Sequence, residues 1–300
     1  MPVPDFQTIM LPLLKVLSDG KIYTTRELIE SLAAYFQLSD SERKELLPSG
    51  QQPVFDNRVG WARTYMKKAG LVDSDKRGTQ KISQKGLEVV KKEPKKIDVS
   101  FLMQFPEFSE FRTQRENEEE VVTENGHQVK TPEENLENTH LAIQSDIEKE
   151  VLLKVKESSS QFFEKVVVDL VVAMGYGGSR QDAGKAVGKS GDGGIDGIIK
   201  EDRLGLDTIY MQAKRWEGTV PVKEIRDFAG ALLSKKSRKG IFITTSQFPQ
   251  SAYEYVQTIE PKIILIDGSN LAKLMIELGI GTAVQKIYKI SKIDTDYFEE

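Results

Sequence analysis

Two short stretches carry residue types and spacings suited to phosphate chemistry: "SGDGGIDGII", residues 190–199, and "TIYMQAKRW", residues 208–216. In the first, Asp196 stands among glycines at 191, 193, 194 and 197. In the second, Gln212 and Lys214 lie two apart in an apolar run, so on a strand they share one face while Met211 and Ala213 take the other. Paired as a hairpin, the two stretches would bring an acid, an amide oxygen and an ammonium into one small cavity. Asp196 and the Gln212 carbonyl are hard oxygen ligands that suit Mg2+, which takes few protein ligands. Such an ion polarises a phosphate and acidifies a bound water. Lys214 would orient or deprotonate the attacking water and offset charge on a pentavalent transition state. The glycines let backbone approach a phosphate closely. Asp192 is a rival acid by type, but it sits inside the glycine turn, where a turn role suits it better.

Composition narrows the chemistry. The chain of 300 residues has 39% hydrophobic and 29% charged residues, which is globular and enough for two domains. It lacks cysteine, which excludes disulfides and zinc–cysteine sites and fits a reducing cytoplasm. No secretory signal is read at "MPVPDFQTIMLPLL" and no apolar run is long enough for a membrane span. The two histidines, His127 and His140, both fall in the polar middle. Histidine-based triads, Cys–His nucleophiles and zinc hydrolases are thereby excluded from the flanking regions. Net charge is −4, but residues 105–150 carry 13 acids and 4 bases, whereas residues 56–96 carry 12 bases and 5 acids. A basic N-terminal patch and an acidic connector lie beneath the near-neutral total.

The elements needed to position these residues follow from periodicity and capping signals. Residues 1–98 read as short helices and a hairpin. Thr24-x-x-Glu27 and Ser39-x-x-Glu42 are capping boxes. "VFDNRVGWARTYMKKAG" is a helix stopped at Gly70, and "LVDSDKRGTQKIS" is a pair of strands about a turn ending at Gly78. A helix followed by a basic hairpin is the winged-helix pattern. In that pattern Arg58, Arg63, Lys67 and Lys68 on the helix and Lys76, Arg77 and Lys81 on the wing would contact DNA phosphates, with base readout falling to Asn57, Arg58 or Arg63. Residues 99–130 read as an exposed acidic linker. A helix beginning at Thr131-Pro132 follows, with Leu136, Ile143, Ile147, Val151 and Val155 as an apolar seam for packing or dimerisation. From 158 onward the order helix, strand pair, helix, strand, helix, strand predicts an α/β sandwich around a mixed sheet. The fold class is therefore α+β with two domains: a winged helix-turn-helix at 1–98, an acidic linker and connecting helix at 99–157, and a nuclease-type sandwich at 158–300.

With "GDGGIDGII", "QAKRW", "KGIFITTSQF" and "IILIDGSNLAKLM" in the C-terminal half and "NRVGWARTYMKKAGLV" and "RGTQKIS" in the N-terminal half, the chain resembles the Mrr family of restriction endonucleases. That family is a type IV branch of the PD-(D/E)xK nuclease fold. The resemblance implies that Asp196, Gln212 and Lys214 are catalytic, with Asp196 and Gln212 holding Mg2+. Gln212 stands where Glu is usual in the wider fold, and Glu164 on the preceding helix could restore the missing charge, as an acid there does in related nucleases. Arg215 would touch phosphate, and Trp216 would be core. The resemblance further implies cleavage of foreign, methylated double-stranded DNA, in a cytoplasmic homodimer or higher assembly. Two other readings stay open at this level: a DNA-binding regulator with an inactive nuclease domain, and a repair or recombination nuclease that acts on DNA structure.

Overall fold

The computed structural model describes residues 2–74, 76, 78–113, 129–177, 195–201 and 207–291. These form two compact units, Met1–Ala142 and Ile143–Ser291.

In the first unit, α1 (Phe6–Leu17) starts at Asp5, whose carboxylate accepts the free N–H groups of Gln7 and Thr8. Strand β1 (Tyr23–Thr24) leads into α2 (Thr25–Tyr35), and α3 (Asp40–Arg43) follows. Both capping boxes form as expected. The long α4 (Val54–Lys68) precedes a hairpin of β2 (Val72–Asp73) and β3 (Thr79–Ile82), and β3 pairs with both β1 and β2. Helix α5 (Gln84–Lys91) closes the basic half. Ile9, Leu13, Leu14, Phe55, Tyr65 and Met66 are fully enclosed at its centre.

The segment after residue 98 corrects the linker reading. It forms α6 (Val99–Leu102) and α7 (Pro106–Thr113), and Leu102 and Phe108 are fully buried in the same core, with Phe101, Phe105 and Phe111 against it. Aromatic residues at helical spacing supply enough apolar area to dock an otherwise polar stretch. The acidic centre of that linker, residues 114–128, lies outside the described residues.

Helix α8 (Pro132–Glu157) opens on Thr131, whose hydroxyl accepts the N–H of Glu134 while the Glu134 carboxylate accepts the N–H of Thr131. The expected seam is largely unburied among the described residues. Leu136, Ile143 and Ile147 are exposed, and only Val155 is enclosed. Among the described residues no helix is long and apolar enough to cross a membrane.

The second unit is a four-stranded sheet in the order β4-β5-β6-β7. Strands β4 (Gly197–Lys200) and β5 (Thr208–Lys214) are antiparallel, while β6 (Lys239–Thr244) and β7 (Lys262–Ile266) continue it in parallel. The expected hairpin and mixed sheet are both present. Helices α9 (Ser160–Ala173) and α12 (Gly268–Glu277) pack on the face carrying Ile199, Met211, Ile243 and Ile266. Helices α10 (Val222–Ser234) and α11 (Gln250–Thr258) cover the other, around Phe242 and Ile263. Gly240 permits that second layer: a Cβ there would lie 2.7 Å from Leu232 and 2.8 Å from Phe228, so only glycine lets α10 lie this close to β6.

Candidate active site

The register of the β4–β5 hairpin sets the site. Gly197 pairs with Met211, and the N–H of Asp196 donates to the Met211 carbonyl at 2.9 Å, so Asp196 enters at the end of the ladder beside the last residues of β5. Its Oδ2 accepts the N–H of Ala213 at 2.8 Å. Strand alternation sends Met211 into the α9 layer and puts Lys214 against Glu224 of α10 on the opposite side. Gln212 pairs with Phe242 of the central strand and is only 4% exposed.

Three features make this cluster unlike ordinary structure. Among the described residues the buried Gln212 carbonyl oxygen has no hydrogen-bond partner, which a folded chain seldom leaves uncompensated. Burial pushes the Asp196 carboxyl above its usual range, opposed by the Ala213 N–H and the nearby Lys214 charge. Glu164, on α9, is also raised, first by burial and then by the negative charge of Asp196. Two carboxyls raised by burial, Glu164 further by the charge of Asp196, with an amide oxygen that has no donor among the described residues, form an all-oxygen set in need of positive charge. The donors therefore fit a hard divalent cation. Among the described residues no group of three or more His, Cys, Asp or Glu side chains is placed to hold a metal ion.

Lys214 is clamped from two sides. Its Nζ lies 2.9 Å from Glu224 Oε2 and 5.6 Å from the centre of the Trp216 ring. Trp216 packs partly buried against the α10–α11 core. Glu224 is absent from the sequence reading. A glutamate in the first turn of a helix is ordinary, and the available signal was the proline three residues before it. Arg215 does not face the cluster: it donates to the carbonyls of Lys156 and Ser158 at 2.9 and 2.6 Å, at the C-terminal end of α8. Ser246 donates to the Gly218 carbonyl and so ties a loop together. Asp192 and the glycines at 191, 193 and 194 lie outside the described residues.

The basic residues of the first unit divide in two. Asn57 and Arg58 are 4% and 6% exposed, which corrects their reading as base-contacting groups in this conformation. The Asn57 amide donates to Glu133 at 2.6 Å and its oxygen accepts from Thr131 at 2.7 Å. Arg58 donates to Glu134 and to the Val3 carbonyl, each at 2.6 Å. The Trp61 indole also donates to Glu133. Lys67, Lys68 and Lys76 are exposed, and Lys81 is half-buried. Arg63 is half-buried, donates to the Thr25 hydroxyl at 2.9 Å, and is lowered from its usual pKa by desolvation. Arg77 lies outside the described residues.

Comparison with known proteins agrees with this layout. The model of the Mrr N-terminal domain matches residues 6–92, and a restriction endonuclease model, the Mrr catalytic domain, matches residues 155–275. The chain is 34% identical over 316 residues to the type IV methyl-directed restriction enzyme EcoKMrr of Escherichia coli (strain K12), with 100% of each covered. The chain belongs to the Mrr family of restriction endonucleases. As an Mrr-family member it is a nuclease with a restriction-endonuclease-like catalytic fold. Two solved structures are similar to part of it. The DNA modification-dependent restriction endonuclease AspBHI has 19% identity and a TM-score of 0.34 over 46% of this chain and 36% of that one. MspJI, solved with a 27-mer oligonucleotide, has 19% identity and a TM-score of 0.27 over 53% and 35%.

Proposed function

We propose that this Mrr-family nuclease is a Mg2+-dependent endonuclease of methylated double-stranded DNA, with Asp196, Gln212, Lys214 and Glu164 as its catalytic group. The observation that carries the site is the buried Gln212 oxygen, without a partner among the described residues, in the same cluster as two raised carboxylates. Asp196 and Gln212, with Glu164 beside them, would hold Mg2+, which when bound supplies Lewis-acid polarisation of the phosphate and an acidified water. Lys214 offers N–H donors to the phosphate oxygens as negative charge builds on them. Asp196 is kept at the mouth of the hairpin by the Ala213 N–H, so its second oxygen is aimed without a search over rotamers. The water oxygen forms a bond to phosphorus as the bond from phosphorus to the leaving sugar oxygen breaks; the proton the water gives up passes to solvent, and the leaving oxygen takes one from solvent.

The first unit serves as a winged helix in this reading, with α4 as the helix and the β2–β3 hairpin as the wing. Its exposed Lys67, Lys68 and Lys76, with Arg63, Arg77 and Lys81, supply phosphate contacts that give affinity without sequence information. Recognition of methylated bases is what the relative's name states of that enzyme, and it is extended to this chain by 34% identity over the whole length. Cutting both strands requires two active sites, so the acting form is a homodimer or larger.

Plasmid cleavage tests this. Unmethylated, adenine-methylated and cytosine-methylated plasmids are incubated with Mg2+ beside a Lys214→Ala control. Only methylated plasmid should be cut, and only by the wild type. Cleavage of every plasmid removes the modification dependence. Binding without cleavage replaces the nuclease with a regulator.

A further inference from the structure

We propose that Glu224 is a positioning residue for the cleavage step, holding the ammonium of Lys214 at its working place; this rests on the nuclease reading above. A lysine side chain has four rotatable bonds, and ordering it costs on the order of 1.5–2 kcal/mol in rotamer freedom. A catalytic ammonium therefore needs an anchor, and the 2.9 Å contact to Glu224 Oε2 provides one.

The anchor is built into the fold. Glu224 is the third residue of α10, the position from which a glutamate normally reaches back to the N–H of the residue capping the helix. Here the cap is Pro221, which has no N–H to offer, and no side-chain cap forms. The Glu224 carboxylate is thereby left to face the sheet. Its backbone is fixed by a hydrogen bond from the Glu224 N–H to the Pro221 carbonyl at 3.0 Å and by the burial of Ile225 and Phe228. Gly240 lets that helix lie on β6, beside the strand that carries Lys214.

The pair is also not a solvated surface bridge of the kind that contributes little. The Lys214 and Glu224 side chains are 30% and 22% exposed, and Trp216 lies on the ammonium's flank. One N–H of Lys214 is committed to Glu224, leaving two to donate into the site. A lysine so held is a fixed donor toward the phosphate, which assigns it orientation and charge stabilisation over free-ranging proton abstraction.

Two variants of the full chain test this: Glu224→Gln, which keeps shape and a hydrogen-bond acceptor but drops the charge, and Glu224→Leu, which drops both. Single-turnover cleavage, DNA affinity and the Mg2+ concentration for half-maximal rate are measured for each, with melting curves to verify folding. The cleavage rate should fall in order, on the order of 10-fold for Gln and about 100-fold for Leu, as misplaced catalytic groups do. DNA affinity and Mg2+ half-saturation should stay within twofold. Variants as fast as wild type overturn the proposal alone, and so does a loss appearing in DNA affinity or Mg2+ requirement, which would make Glu224 a binding group. A wild-type chain that cuts no DNA overturns the nuclease reading and this proposal together.

Discussion

Arg58 and Glu134, 76 residues apart in sequence, form an ion pair at 2.6 Å with side chains only 7% and 6% exposed. The first two turns of α8 are thus stitched onto the N-terminal part of α4 and the loop before it, with Glu133 on Asn57 and Glu137 on the Ser49 N–H and hydroxyl. Removing one partner leaves a buried charge uncompensated. Glu134→Ala should cost about 3–5 kcal/mol in the first unit, read as an earlier transition in urea. Arg58→Met with Glu134→Leu should recover most of that loss, since a buried pair replaced by apolar groups is often neutral. If Glu134→Ala melts with the wild type, the pair is not formed in solution.

The exposed lysines carry a separate expectation. Lys67→Ala and Lys76→Ala should each weaken DNA binding about equally across sequences and methylation states. Each should also lower the slope of log K against log salt by about 1. Fluorescence anisotropy over a salt series measures this. A slope unchanged in both variants would move the DNA surface off α4 and the wing.

The candidate-site hairpin was legible because its signals are local. Alternation alone places Gln212 and Lys214 together and Met211 opposite, and glycines flank the one acid that enters the ladder. Glu224 was not legible, because its meaning depends on a proline cap and on a glycine in another strand that admits the helix. Asn57 and Arg58 were misread for a related reason. Arginine is seldom buried, so a basic helix reads as a solvated face until a carboxylate far along the chain is brought to it. In residues 99–113 the charge pattern outweighed the phenylalanine spacing, although it is the phenylalanines that decide where the segment sits.

Gln212→Glu tests the charge of the candidate metal site. It restores an acid at a buried position already beside two raised carboxylates. The Mg2+ concentration for half-maximal cleavage should fall, because a carboxylate binds the ion more strongly than an amide oxygen. Without Mg2+ the variant should melt earlier than the wild type, since another anion is confined in the same cluster. A rise in the Mg2+ requirement would place Gln212 outside the metal's reach.

Asp196→Asn separates function from stability. The folded state holds protons on Asp196 and Glu164 to higher pH than the unfolded chain does, because burial raises both groups. In the window above the ordinary carboxylate range the folded state therefore binds more protons, and stability falls as pH rises through it. Asparagine keeps an oxygen for the Ala213 N–H while removing the charge and its repulsion on Glu164. The variant should lose cleavage yet melt about 2–4 °C higher than the wild type near pH 8 without metal. Its advantage should shrink on acidification to pH 5, since the raised wild-type carboxyls take up protons more readily than ordinary ones. Added Mg2+ should raise the melting point of the wild type and leave that of the variant nearly unchanged. A variant that melts lower than the wild type at both pH values would mean that Asp196 serves the fold more than the site.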